Sequence, residues 1–387
     1  MKFDLVIVGG GLAGAALAVA LRGSRFRIAL VEGAAPARPA GWDARVYAYS
    51  PANADFLRAL GVWQALDPAR LCAVRAMDVH GDGGGRLRFS AYDAGLAELA
   101  WIGESSLVHH ELWECVRRQH NVTLFCPGRP AALALDDAGA HLTLDDGRRL
   151  SADLLVGADG RDSWVRHAAG IAAEVVPYGE MGVVANFRCE HAHHGVATQW
   201  FRKDGVLAWL PLPGRLMSMV WSAPDAFAAE LMAMDTEAFC DLVAAAGGHG
   251  LGRLELETPR AAFALRLMRV DTVVKPHIAL VGDAAHAIHP LSGHGINLGF
   301  QDARALADLL TPLPAWRNPG EIEVLRGYAR ARAEEPFLLQ YLTHGLNRLF
   351  TSTNPVLGVL RNAGMNLTGG LPVLANALTR YAVGGKF

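Results

Sequence analysis

The chain is sparing with cysteine, and the few it has are scattered. Cys72, Cys115, Cys126, Cys189 and Cys240 are odd in number and include no C-x-x-C pair, which points to reduced thiols rather than a disulfide framework. Long apolar runs are also missing: none reaches the ~18–20 residues that a membrane-spanning helix needs. Neither sign of charge is in excess. Lys and Arg number 36 against 38 Asp and Glu, a formal net charge of −2, so nucleic acid is not an expected partner. There is no internal repeat or low-complexity segment. Lys2-Phe3-Asp4 leads straight into an expected strand, so no targeting segment is expected and the protein is read as cytoplasmic.

What remains is an enzyme-like composition. Of 387 residues, 51% are apolar and 19% charged, which suits two domains or one large discontinuous one. Glycine-rich stretches at the ends of apolar runs carry the chemistry. Phe3–Val8 reads as a buried parallel strand, Gly9–Gly14 as a turn, Ala15–Arg22 as a helix and Arg27–Val31 as the next strand, ending at Glu32. Within this β-α-β unit the turn fits G-x-G-x-x-G. Gly9 permits the tight turn, Gly11 lets the backbone approach a pyrophosphate, and Gly14 lets the helix pack on the sheet. Glu32 can accept hydrogen bonds from both ribose hydroxyls and would repel a 2′-phosphate.

Two later stretches share this logic. Leu154–Val156 is a buried strand ending in Gly157-Ala158-Asp159-Gly160, with Ser163, Val165 and Arg166 close behind. Asp159 and Gly160 can hold a loop against a pyrophosphate bridge. Ile278–Val281 is another buried strand. It runs into Gly282-Asp283-Ala284-Ala285-His286, then Pro290-Leu291-Ser292-Gly293-His294-Gly295-Ile296-Asn297, and so into a helix. Asp283 suits the ribityl chain of a flavin. The amides from Gly295 to Leu298, those of Ile296 and Asn297 among them, would open the helix with its positive end toward the ring, and Gly293 is read as a further cofactor-binding residue. Nucleotide-type motifs so far apart suggest one extended cofactor spanning the fold.

Elsewhere, helices are expected over Pro51–Leu60 and Leu107–His120. Hairpins are expected for Val74–His80 with Arg86–Ser90 around Gly81–Gly85, and for Leu133–Leu135 with His141–Leu144. Strands alternate from Val183 to Leu265 around a helical insert near Thr236–Ala246. In this region Trp200, Phe201, Trp209, Leu210, Met217, Met219 and Trp221 are read first as sheet core, with some available to line an apolar pocket. Cys189-Glu190-His191-Ala192-His193-His194 is read as a solvated loop, not a metal site. After Glu335 there is no acidic residue, and the tail reads as amphipathic, basic helices that either pack at home or touch an anionic membrane surface.

The three nucleotide motifs, in this order, resemble the class A FAD-dependent aromatic monooxygenases, a group with the p-hydroxybenzoate hydroxylase fold. Asp43-Ala44-Arg45-Val46-Tyr47-Ala48-Tyr49-Ser50, His289–Gly299 and Asn354-Pro355…Leu360–Met365 are similar to the ubiquinone-biosynthesis hydroxylases of that group. The resemblance covers nearly the whole chain. It departs at His294, where relatives usually carry Gln, and at His109-His110, where many carry an acid or amide pair.

The resemblance implies an α/β fold: a Rossmann-like FAD-binding domain (1–73, 100–180 and 268–335), an inserted mixed-sheet substrate domain (74–99 and 181–267), and C-terminal helices (336–387). It also implies hydroxylation of a polyprenylated phenol or benzoquinol on the ubiquinone pathway. NAD(P)H would be the electron donor, with O2 passing through a flavin C4a-hydroperoxide. Arg45, His286 and Pro290 would then lie beside the ring, with no metal. Other ubiquinone-biosynthesis proteins are possible partners, and contact with the inner membrane would be peripheral. The alternatives are a hydroxylase of small soluble aromatics, a reductase of prenyl chains, and a non-enzymatic assembly subunit. No W-x-W-x-I-P text supports a halogenase.

Overall fold

The computed structural model describes residues 1–38, 40–288, 295–351 and 355–369. Lys2–Val8 is apolar on both faces, so it can be buried only as an inner strand. It sits between Ile28–Val31 and Arg149–Gly157, and the parallel set continues to Val122–Phe125 on one side and Ile278–Leu280 on the other. One face is covered by the helices Leu12–Ala20, Ser105–Arg117 and Gly295–Leu310. The short helix Trp164–Ala168 packs on the opposite side. All five strands bring their carboxyl ends to one edge, where α/β folds bind their ligands.

The second sheet is mixed and largely antiparallel, in the order His286–Ala287, Ala261–Val270, Ala173–Cys189, Leu216–Pro224, Gly205–Pro211, Val196–Arg202, Ala76–His80, Arg86–Ser90. One face packs on the helices Asp225–Ala233 and Thr236–Ala246; where the sequence suggested one helical insert, there are two. The fold is thus the expected α/β arrangement. The expected boundaries at 180/181 and 267/268 fall inside the continuous paired strands Ala173–Cys189 and Ala261–Val270. Two other elements differ in length. The first helix starts at Leu12, so Gly14 lies inside it, and the strand at Leu154–Val156 extends back to Arg149.

The C-terminal helices Glu334–Thr351 and Pro355–Gly369 dock on this sheet. Asn362 Oδ1 accepts from Gly83 N and Gly85 N at 3.1 and 2.9 Å, and Asn366 Oδ1 accepts from Arg86 N at 2.9 Å. Phe350 stacks on Phe201. A side chain at Gly81 or Gly85 would collide with Asn362, which explains why this hairpin turn is so rich in glycine. No described helix is long and apolar enough to cross a membrane.

Candidate active site

A cleft of about 800 Å³ runs from the glycine turn to the second sheet, within the ~300–1,000 Å³ range of cofactor and ligand sites. Gly11, Arg45, Gly160, Asp283, Gly295 and Asn297 all line it.

The first turn is built by two glycines that protein packing requires. Gly9 has φ +102°, and a Cβ there would strike the carbonyl of Ala158; one at Gly14 would strike the carbonyl of Gly9. Gly11 differs, because an added Cβ would meet no protein atom within 4 Å. That open space beside the N-terminus of Leu12–Ala20, which carries no acidic residue in its first turn, fits a pyrophosphate. Glu32 ends its strand with Oε2 accepting from Gly10 N at 2.6 Å and Oε1 from Gly33 N at 2.8 Å. Oε1 also accepts from Ala34 N at 3.3 Å, so Oε2 is the oxygen with a lone pair left for a ribose hydroxyl. His109 Nε2 donates to the Gly10 carbonyl at 2.8 Å, whereas His110 Nδ1 is sealed with no partner among the described residues.

Asp159 faces its own loop rather than the cleft. It accepts from Ser163 Oγ at 2.5 Å and Val165 N at 2.9 Å. Arg166 then ties this loop to the third motif by donating to the Ala284 and Arg161 carbonyls at 3.0 Å each. Asp159 therefore shapes the wall, and Gly160 supplies its surface.

Asp283 is exposed to the cleft on the turn Gly282–Ala284, with no side-chain partner among the described residues. A free carboxylate in that position fits a chain of hydroxyls. Tyr47 lies near it, and burial together with the Asp283 charge pushes its phenol up. Gly295 and Ile296 open the helix Gly295–Leu310 on the cleft. The Asn297 side chain is taken up within the protein: Oδ1 accepts from Ser50 N at 3.0 Å and Asn53 Nδ2 at 2.9 Å, while Nδ2 donates to the Ala48 carbonyl at 2.8 Å. Its carbonyl also accepts from Asn53 Nδ2 at 3.3 Å, so Asn297 ties the helix start to Ser50 and Asn53. Pro290, Gly293 and His294 lie outside the described residues.

Arg45 faces the cleft, 5.7 Å from the Phe263 ring centroid. Its segment is anchored from below. Asp43 accepts from Arg45 N and Ser106 N, and Asp43 N donates to Glu104 at 2.6 Å. Glu104 is fully buried and held in a fork by Arg70, with both bonds at 2.7 Å.

The expectation for His286 needs correcting. It does not face the cleft. It is buried, and Nε2 donates to Asp302 Oδ2 at 2.6 Å. Asp302 also accepts from Gly282 N at 2.9 Å and Arg332 Nε at 2.7 Å, and Arg332 reaches Glu335 at 2.7 Å. Burial works against both charges, yet the pairing wins: His286 is raised from its ordinary value, and Asp302 is lowered by His286 and Arg332. This network braces the Gly282–Ala284 turn from behind. The sequence carried a signal for it, since Asp302 sits between Leu298 and Leu306 on the buried face of an apolar helix.

On the second sheet, Val184, Ala197, Val206, Ala208, Leu210 and Val220 face the cleft. Of the aromatic and methionine set, Trp209, Met217, Met219 and Trp221 point the other way into the core, and Leu210 alone lines the cleft. Among the described residues no His, Cys, Asp and Glu cluster could hold a metal; His193 donates to the Leu212 carbonyl instead.

A cradle for an extended dinucleotide, opening onto an aliphatic chamber, defines a flavoenzyme of the FAD-dependent hydroxylase class. The chain belongs to the FAD binding domain family, which it matches over residues 2–334. It is 33% identical to 3-demethoxyubiquinol 3-hydroxylase of Escherichia coli (strain K12), covering 98% of each chain. It is 32% identical to ubiquinone hydroxylase UbiL of Rhodospirillum rubrum, covering 98% of this chain and 89% of that one. The fold matches p-nitrophenol 4-monooxygenase PnpA of Pseudomonas putida DLL-E4 with a TM-score of 0.82 at 18% identity, over 100% of this chain and 99% of that one. The expected fold, FAD as cofactor and an FAD-dependent monooxygenase activity are borne out.

Proposed function

We propose that the protein hydroxylates the aromatic ring of a polyprenylated phenol or benzoquinol in ubiquinone biosynthesis. The observation that carries this is the aliphatic chamber wall facing the Asp283 end of the cleft, which suits an apolar ring and chain. Near-full-length similarity to two ubiquinone hydroxylases supports the substrate class. In balance, ring C–H, O2, NAD(P)H and a proton give ring C–OH, NAD(P)+ and water. FAD, when bound, supplies the redox chemistry, taking electrons from NAD(P)H and activating O2.

The protein's share is binding and shape. Gly9, Gly11 and Gly14 form the pyrophosphate turn, Glu32 takes the ribose and Asp283 the ribityl hydroxyls. The backbone of Gly295, Ile296 and Asn297 faces the ring, with Gly293 and Pro290 on the segment just before it. Arg45 stands at the ring edge with Phe263. The Val184, Ala208 and Val220 wall excludes water from the reacting carbon.

We further infer a peripheral contact with the membrane that holds such substrates, and through it with other ubiquinone-biosynthesis proteins. Exposed Phe337 and Tyr341, and Val359 and Leu367 on the last described helix, support it, as does the acid-free, basic composition after Glu335.

The test is turnover by the purified holoenzyme of a prenylated phenol under 18O2. One labelled oxygen in the product, with substrate-stimulated NAD(P)H oxidation, is the expected result. Equal turnover of a polar monocyclic acid would favour a small soluble substrate instead.

A further inference from the structure

The second-sheet wall of the chamber is mostly apolar, Met77, Phe89 and Phe263 included, and its polar side chains are Gln199, Ser222 and Arg266. Gln199 lies on the strand Val196–Arg202, opposite Ala208 on one side and Val79 on the other. Only 6% of it is exposed. Its amide has no hydrogen-bond partner among the described residues, yet its polar atoms are not sealed in protein; they open into the chamber. An amide placed this way takes its hydrogen-bond partner from whatever occupies the chamber.

This chain satisfies a comparable residue elsewhere. Gln340, 4% exposed, donates to the Met268 carbonyl at 2.9 Å and accepts from Arg269 Nε at 3.2 Å. Around Gln199 the neighbours Ala197, Ala208 and Val220 offer no side-chain donor or acceptor, and their short side chains leave room above it. An amide without an internal partner, set among Ala197, Ala208 and Val220 and opening into the chamber, is the arrangement of a group reserved for the ligand.

We propose that Gln199 recognises a free hydroxyl on the aromatic ring of the substrate and so determines specificity. The amide oxygen accepts the ring O–H, and the amide N–H is free to donate to the same oxygen or to a neighbouring one. An aryl methyl ether can only accept, so it leaves the amide oxygen unpaired. This deepens the proposed function and rests on it for the aromatic ring, but not for the prenyl chain.

The experiment uses the FAD-loaded enzyme and reads binding from flavin fluorescence. The probes are 2-methoxyphenol against 1,2-dimethoxybenzene, and the same pair carrying a prenyl chain. Wild type should favour the free phenol at least about tenfold, and Gln199→Met should bring the two within about threefold. The thermal midpoint of Gln199→Met should hold or rise, because no internal hydrogen bond is lost. A wild type that binds ether and phenol alike, a Gln199→Met variant that keeps the preference, or one that loses thermal stability would each overturn the proposal. If prenylated probes are neither bound nor hydroxylated while the short pair keeps its preference, the pathway reading fails and the role of Gln199 stands.

Discussion

The cofactor cradle and the chamber wall are held by opposite means. In the cradle, carboxylates converge on backbone N–H groups: Glu32 on Gly10 and Gly33, Asp159 on Val165, Asp302 on Gly282. In the wall, alternation along extended strands sends Trp209, Met219 and Trp221 into a sealed core and Ala208 and Val220 into the chamber. Directional bonds fix a geometry, and a geometry admits one kind of ligand. Short aliphatic side chains fix only a volume, so the wall can be retuned without disturbing the cradle.

That contrast breaks most directly at Asp302. Replacing it with Ala leaves His286 and Arg332 buried without their shared carboxylate, and should cost about 3–5 kcal/mol in urea denaturation, with loss of bound flavin. A loss under about 1 kcal/mol, the scale of an exposed ion pair, would show that the cradle does not depend on the network.

The glycines sharpen the same point. Gly14→Ala should destabilise the apoprotein by about 1–3 kcal/mol through overpacking. Gly11→Ala should leave its thermal midpoint nearly unchanged while weakening FAD binding about tenfold or more, or ~1.4 kcal/mol, as read by flavin release on dilution. On the wall, Ala208→Leu should alter stability by no more than about 0.5 kcal/mol and raise KM severalfold for bulky rings. An equal rise for the smallest phenols would mean that the wall sets more than volume.

The smallest effect is a pH dependence. His286 is raised in the folded protein, so its contribution is full below the ordinary histidine value of ~6.5 and fades as pH rises through the raised value. Asp302 is lowered, so its contribution is present above ~3.9 and fades only as pH falls through the lowered value. The stability gap between wild type and His286→Gln should therefore narrow as pH is raised from about 5 to 9. A constant gap would mean that folding leaves the proton affinity of the histidine unchanged.

The sequence made the cradle legible because its parts are local: glycines where the chain turns, carboxylates where strands end. Gly9, Gly11, Gly14, Glu32 and Asp283 could be named from spacing and type. His286 was misplaced beside the ring because its partner Asp302, and the Arg332 that shares it, come from a later helix and from the end of another, and only folding brings them together. The expected loop contact of Asp159 came out turned inward for a similar reason, since its two oxygens are engaged by Ser163 and Val165 a few residues on. Alternation in the second sheet revealed two faces but not which one met the cofactor, so Trp209 and Trp221 could not be separated from Ala208 and Val220 without the structure.

The clasp of Asn362 on the Gly81–Gly85 turn has a consequence in time. The turn is made early in synthesis, while the side chain that caps its N–H groups lies 277–279 residues later. At ~5–20 residues per second on the ribosome, those amides wait some tens of seconds for their partner. During that interval the edge strand Arg86–Ser90 of the chamber sheet is available to other chains. A ribosome stalled before residue 362 would hold the cradle strands complete but leave that edge uncapped and open to mispairing.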